Sequence, residues 1–367
     1  MPDIRLLMTA DAAGGIWTYA LGMKQALSAR GVSTILAILG DRPSELALRA
    51  ARAIGGVEIE LADLPLDWTA TSASEMAHAG EEIARLARRV GADLVQLNAP
   101  AFAASASFPV PMIGALHSCV ATWWEAVHGN VPLPQDLEWR AKLTRAGLTR
   151  VDVAIAPSQA LARQAQRLYA LARAPIVIHN GRWAPDEAGP RRRDIPVVTA
   201  GRLWDEGKNI AALDSAAEHL PFKICAAGPL QGPNGAALRL HNLDWRGVLD
   251  PLALRNVMAR AAVFVSPALY EPFGLAVLEA AQAGCALVLS DIPTFRELWD
   301  GAALFVGPSH AHAIADALRQ VTADAALRTR LAAAAEHRAS QYTIDRSADA
   351  LATLMRSLVI EPKRRAS

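Results

Sequence analysis

Residues 270–291 read YEPFGLAVLEAAQAGCALVLSD, a loop, a helix and a strand in direct succession. The run 274–284 has helical periodicity. The run 286–290, ALVLS, is apolar at nearly every position. Such a strand is buried on both faces, as in a parallel sheet covered by helices. Pro272 keeps Glu271 out of helical backbone, and Gly274 lets the chain turn into the helix. Two carboxylates, Glu271 and Glu279, therefore flank the start of an otherwise apolar helix. Between them, the amides of Phe273, Gly274, Leu275 and Ala276 carry the partial positive charge of a helix N-terminus and favour an anion. A capping glutamate plus a surface glutamate is the plainer reading of the same residues.

Outward from this unit the pattern repeats. Strands are predicted at 4–8, 33–39, 94–98, 112–116 and 152–156, and again at 196–200, 222–226, 263–266, 286–290 and 303–306. Helical periodicity fills much of the space between, for example at 16–29, 80–90, 135–149, 158–172, 207–219, 251–261, 274–284 and 310–320. Alternation of this kind specifies doubly wound α/β domains. The 367 residues suit two domains better than one. The break falls in the linker RWAPDEAGPRRRDI, 182–195, whose arginines 191–193 read as a solvated hinge or a phosphate patch. Two domains, 1–182 and 195–345, are expected to face each other across a ligand cleft. The last amphipathic run, 346–358 within 346–367, has no strand after it and is expected to pack back onto the first domain.

Composition narrows the function. With 37 basic and 36 acidic residues the net charge is +1, which offers no field for a nucleic-acid backbone. Cys119, Cys225 and Cys285 lie far apart in apolar settings and read as buried thiols. Residues 94–124 contain no Asp, Glu, Lys or Arg, but Pro100, Pro109 and Pro111 argue against a membrane span and for two buried strands with loops. A cytoplasmic location is expected.

Three further groups follow predicted strands. The loop at 9–15 ends in Gly14-Gly15, where a backbone can approach an anion or simply turn tightly into a helix. No G-x-G-x-x-G occurs. His117 follows the strand MIGAL and could donate to a substrate hydroxyl or to developing negative charge; a structural histidine fits equally. AGRLWDEGKNI, 200–210, imitates a phosphate-binding Walker motif but has one residue too many between its glycines, and Asn209 where a hydroxyl would hold magnesium. What remains is Arg202 and Lys208 on one post-strand loop, a fork and a point charge suited to a diphosphate or to solvent. The pair His310 and His312 has no evident acidic partner.

At this point the residues resemble a known family. EPFGLAVLEA, with glutamates eight apart, is similar to the E-x7-E motif of glycosyltransferase family 4, the retaining GT-B enzymes. The Gly-Gly loop, the histidine after an N-domain strand, GRL…GKN, HNG at 179–181 and RGVLD at 246–250 extend the resemblance along most of the chain. It implies a GT-B fold and transfer of a sugar from a nucleotide-diphosphate-sugar donor to a saccharide or lipid-linked acceptor. By that resemblance Arg202 and Lys208 bind the donor diphosphate. Glu271 holds the donor sugar, with the amides of Phe273, Gly274 and Leu275 assisting. Glu279 binds the ribose, Val248 and Leu249 meet the base, Gly15 approaches the phosphates or acceptor, and His117 touches the transferred sugar. No metal or cofactor is expected, since the chain has no D-x-D motif. Ala268 stands where a serine is common, and the loop at 228–235 departs from the usual glycine pattern.

Other readings share the architecture. They are a sugar-nucleotide epimerase, a phosphorylase, and a non-catalytic nucleotide-sugar-binding subunit. An epimerase would need acid/base residues that no motif supplies. Trp123, Trp124 and Trp139 could stack on a sugar, touch lipid or fill a core. The basic run 137–150 fits contact with an anionic membrane surface as well as a solvated helix face.

Overall fold

The computed structural model describes residues 4–12, 15–54, 58–183, 192–233 and 235–360. In chain order the first elements are β1 (Ile4–Asp11), α1 (Gly15–Ser28), β2 (Val32–Leu39), α2 (Glu45–Ala53), β3 (Glu58–Leu61), α3 (Ala73–Arg89) and β4 (Leu94–Leu97). Then come β5 (Met112–Ala115), α4 (Val120–His128), α5 (Gln135–Arg150), β6 (Val153–Ala156), α6 (Gln159–Tyr169) and β7 (Ile176–Val177). The second series is β8 (Ile195–Ala200), α7 (Ile210–Ala217), β9 (Ile224–Ala227), β10 (Asp244–Trp245), α8 (Pro251–Arg260), β11 (Ala261–Ser266) and α9 (Leu275–Gln282). It continues with β12 (Ala286–Ser290), α10 (Pro293–Trp299), β13 (Ala303–Val306), α11 (Ala311–Ala323) and α12 (Ala325–Ala339), and α13 (Ile344–Ile360) closes the chain's described part.

The chain forms two compact units, Met1–Gly181 with Ile344–Ser367, and Arg182–Thr343. Arg182 thus belongs to the second unit, and Ile344 and Asp345 to the first. Among the described residues the first sheet runs β3-β2-β1-β4-β5-β6-β7 and the second β10-β9-β8-β11-β12-β13, with every strand pair parallel. Each order reverses once, between β1 and β4 and between β8 and β11. These are the switch points at which doubly wound sheets bind ligands, beyond the carboxyl ends of the strands.

The strands are apolar because both faces are covered. In the first unit Leu6, Met8 and Ala10 face α1 and α13, while Leu7, Val95 and Leu97 join the core over α3. Ala348, Leu351, Ala352 and Met355 of α13 are fully buried against that first face. Arg30 fastens the end of α1 to α13 through Asp349 at 2.6 Å and Asp345 at 3.0 Å. In the second unit Phe264, Leu287 and Leu289 pack under α9, α10 and α12, and Val263, Val265 and Val288 under α7 and α11.

Several expectations are corrected. Three strands, β3, β7 and β10, were not predicted, and helices α2, α4, α10 and α12 lie outside the helical runs named from the sequence. Residues 94–124 hold β4, a 3-10 turn (Pro100–Ala103), β5 and the start of α4, not merely two strands and loops. The helix predicted over 207–219 is broken. Glu206–Lys208 is a 3-10 turn, and Asn209 takes left-handed backbone (φ 56°) before α7 begins. Asn209 is held there because its side-chain amide donates to the carbonyls of Pro267 and Pro308, both at 2.9 Å. Arg193 is no solvated hinge residue. Its guanidinium donates to the carbonyls of Ala261 and Ala283, the latter ending α9, where a cation meets the negative end of the helix dipole. Gly14, residues 184–191, Asn234 and 361–367 lie outside the described residues. Among the described residues no helix is long and apolar enough to cross a membrane.

Candidate active site

The second switch point is built from the loops that leave β8 and β11. After β8 the chain passes Gly201 and Arg202, then makes the 3-10 turn that carries Lys208. Asp205 caps this turn, accepting the Gly207 amide at 3.0 Å and pairing with Arg202 at 2.8 Å. The Gly207 carbonyl accepts the amides of Leu269 and Tyr270, at 2.9 and 3.1 Å, so the two loops are stitched together. That stitching places Lys208 Nζ 2.6 Å from Glu271 Oε2, with both side chains largely buried. A pocket lined by Thr199, Arg202, Lys208, Ser266, Glu271 and Ala276 opens here.

Gly274 follows, with φ 93°, a conformation that side chains with a Cβ rarely adopt. It is the N-cap of α9 and contributes no side-chain hydrogen bond. The first amides of α9, including those of Leu275 and Ala276, are therefore not capped by that residue. Phe273 is buried and meets Tyr342 edge-on at 5.6 Å, so its side chain anchors the turn. One helical turn further, Glu279 Oε1 lies 2.8 Å from Arg182 Nε. Burial pushes the Glu279 carboxyl up from its ordinary range, while Arg182 and Arg255 pull it down. The Arg182 amide donates to the Tyr342 carbonyl at 3.2 Å, beside a parallel bridge to Thr343. Arg182 is thus held at both ends.

Val248 is 72% exposed, and Leu249 beside it is partly buried, on the loop between β10 and α8. The loop after β9 is fixed by close backbone approach. A Cβ on Gly228 would stand 1.9 Å from the Gly201 carbonyl oxygen, and Gly228 accepts from the Trp245 indole at 2.8 Å.

The first switch point has a different chemistry. Gln96, Asn98, Thr9 and Tyr19 are buried there and form one hydrogen-bonded group. His117, just past β5, joins it through Nε2, 3.1 Å from Asn98 Oδ1, and packs against the Tyr19 ring at 4.6 Å. Burial pushes His117 down to about 4, so the ring is neutral near neutrality. Gly15 opens α1 and is exposed.

The two halves of the chain match two known sequence families in tandem. Residues 191–338 match Glycosyl transferases group 1, and residues 13–182 match Glycosyltransferase Family 4. The chain belongs to the family 4, group 1 glycosyltransferases. It is similar to glycogen synthase from Mycobacterium tuberculosis, at 29% identity over 296 residues that span 74% of this chain and 70% of the relative. Sucrose-phosphate synthase from Thermosynechococcus elongatus has a similar structure, with a TM-score of 0.79 at 20% identity, covering 97% of this chain and 99% of that one. Anabaena HepE, solved in complex with UDP-glucose, gives a TM-score of 0.75 at 18% identity over 97% of this chain and all of that one. The glycosyltransferase therefore has the GT-B fold.

Sequence reasoning passed over several residues of this glycosyltransferase that the structure joins to the predicted ones. Arg182 was read as part of a linker, yet it holds Glu279. Asn98 and Gln96 were read as part of a buried strand, yet Asn98 meets His117 and Gln96 donates to Asn98. A signal for the latter was present: LVQLN places two amides at i and i+2, on one face of an otherwise apolar strand. Arg182 had no such signal, since a lone arginine after HNG has no periodicity.

Proposed function

We propose that this glycosyltransferase is a retaining, metal-independent enzyme that moves a hexose from a nucleoside-diphosphate sugar to a saccharide or lipid-linked acceptor. The observation that carries this reading is the Lys208–Glu271 pair beside the N-terminus of α9, at a switch point. When the anomeric bond breaks, the sugar becomes oxocarbenium-like and negative charge grows on the leaving diphosphate. Lys208, Arg202 and the first amides of α9 supply positive charge for it. Glu271 holds the sugar's hydroxyls and keeps Lys208 in place. Glu279 receives the ribose, Val248 and Leu249 meet the base, Gly15 approaches the phosphates, and His117 contacts the transferred sugar. Glu271 is assigned to hydroxyls, so front-face attack is the reading for retention, with the leaving phosphate taking the acceptor's proton. A covalent sugar adduct on Glu271, trapped and kinetically competent, would replace it with double displacement.

UDP-glucose is the first donor to try, because the glycogen synthase relative and the HepE complex both point to glucosyl transfer. A thermal-shift screen of UDP-, GDP- and ADP-sugars, with and without chelator, identifies the donor and tests metal independence together. With that donor, Lys208→Ala is expected to lower turnover ~100-fold or more, the loss typical of one preorganised anion donor, with folding intact. Near-normal turnover would remove Lys208 from the diphosphate, and loss of activity in chelator would end the metal-free reading.

A further inference from the structure

At the first switch point one backbone carbonyl sets the orientation of each polar side chain in turn. The Thr9 carbonyl can only accept, so the Asn98 atom 2.6 Å from it is the amide nitrogen. Asn98 Oδ1 then faces Gln96 Nε2 at 2.9 Å and His117 Nε2 at 3.1 Å. An amide oxygen has no proton to give, so both neighbours donate. His117 therefore carries its proton on Nε2. In a neutral imidazole the other nitrogen, Nδ1, is then a lone-pair acceptor. Among the described residues His117 makes no other hydrogen bond.

The surroundings favour the neutral ring. Burial alone shifts His117, with no charged group contributing. The Tyr19 hydroxyl, on the ring packed against it, accepts from Gln96 and is pushed up to about 12. Two residues along the chain, the Cys119 thiol is also raised by burial. Both are uncharged near neutrality.

We propose that Asn98, oriented by Thr9 and supported by Gln96, is a positioning residue that presents His117 to the transferred sugar as a hydrogen-bond acceptor through Nδ1. The expected donation from His117 to substrate is thereby replaced by acceptance, and the site selects a sugar whose facing hydroxyl donates. The inference rests on the reading that His117 contacts that sugar.

The test uses the full chain labelled with 15N. Long-range 1H–15N correlation spectra are expected to show His117 as the neutral Nε2–H tautomer at all pH values above about 5. In Asn98→Asp an oxygen can still accept from His117, but only a protonated carboxyl can also donate to the Thr9 carbonyl. Wherever the new carboxyl is ionised it favours imidazolium, so the His117 midpoint should rise by ~1–3 units. A wild-type Nδ1–H tautomer, or an unmoved midpoint in a folded Asn98→Asp whose new carboxyl is shown ionised by its 13C shift, overturns the proposal. In the transfer arm, mono-deoxyfluoro UDP-glucose analogues are the probes, since fluorine cannot donate a hydrogen bond. One analogue should lose ~10-fold in kcat/KM, as for one lost hydrogen bond, and His117→Ala should erase that discrimination. Equal behaviour of all analogues in both proteins overturns the acceptor role. Failure of the functional reading looks different: the ring is Nε2–H, but the wild type transfers nothing.

Discussion

At the carboxyl ends of β8 and β11 the candidate site is built from charged pairs, whereas the group around His117, at the ends of β1, β4 and β5, is joined through neutral amides, hydroxyls and an uncharged imidazole, with one buried carboxylate, Asp11, closing β1. Lys208 meets Glu271, Arg202 meets Asp205, and Arg182 meets Glu279, each with a carboxylate within 2.8 Å. These pairs keep some exposure. In the first unit Gln96, Asn98 and Thr9 are essentially sealed. The difference follows from desolvation. Burying an ion costs several kcal/mol even when it is paired, so a sealed network is made of groups that give up less hydration. What each can do then differs. Paired ions near water can exchange a partner for an incoming phosphate or hydroxyl. A sealed neutral network cannot exchange, but it can fix which atom of His117 accepts.

The largest test of this contrast is Lys208→Ala, expected to cost ~100-fold or more in turnover while leaving the His117 ring resonances where they are. A change in those resonances would mean the two regions are not independent. Next comes acidity. His117 falls from 6.5 in the unfolded chain to about 4 when folded, so the folded state resists its protonation. The stability this gives is complete above pH 6.5 and lost as the pH falls toward 4. Wild type should lose about 3 kcal/mol over that window relative to His117→Gln, at ~1.4 kcal/mol per unit, measured by urea unfolding. Parallel curves would show that the ring is not desolvated.

A smaller effect is expected at Arg182. Removing it frees Glu279, and Arg182→Ala should raise the donor KM ~10-fold with kcat nearly unchanged, the signature of lost binding common to ground and transition states. A fall in kcat at constant KM would place Arg182 in the chemistry instead. The smallest effect belongs to exposed pairs such as Arg5–Glu58 at 3.0 Å, where Arg5→Ala should change stability by less than ~1 kcal/mol.

The elements missed in the sequence have separate local causes. β7 and β10 have two residues each, too few for any period. β3, EIEL, alternates charged and apolar residues on the sheet edge, so it does not look like the buried strands beside it. α4, VATWWEAVH, is partly buried along most of its length and shows little polar face. Lys208 was legible as a cation after a strand, but not as an ion already matched to Glu271. That match depends on the Gly207 carbonyl bringing two separate loops together.

By itself the sequence determined what is local: apolar strands alternating with amphipathic helices, glutamates eight apart around a helix start, and cations on a post-strand loop. Short-range periodicity and backbone preference are enough for these, because residues a few positions apart share one strand face or one helical turn. Only the tertiary structure decided which side chains meet. Asn98 reaches His117 because β4 and β5 are neighbours in a parallel sheet, and Arg182 reaches Glu279 because the chain re-enters beside Thr343. Parallel neighbours are joined by long crossovers, so their pairing is set by packing of the whole sheet and leaves no trace in any short window.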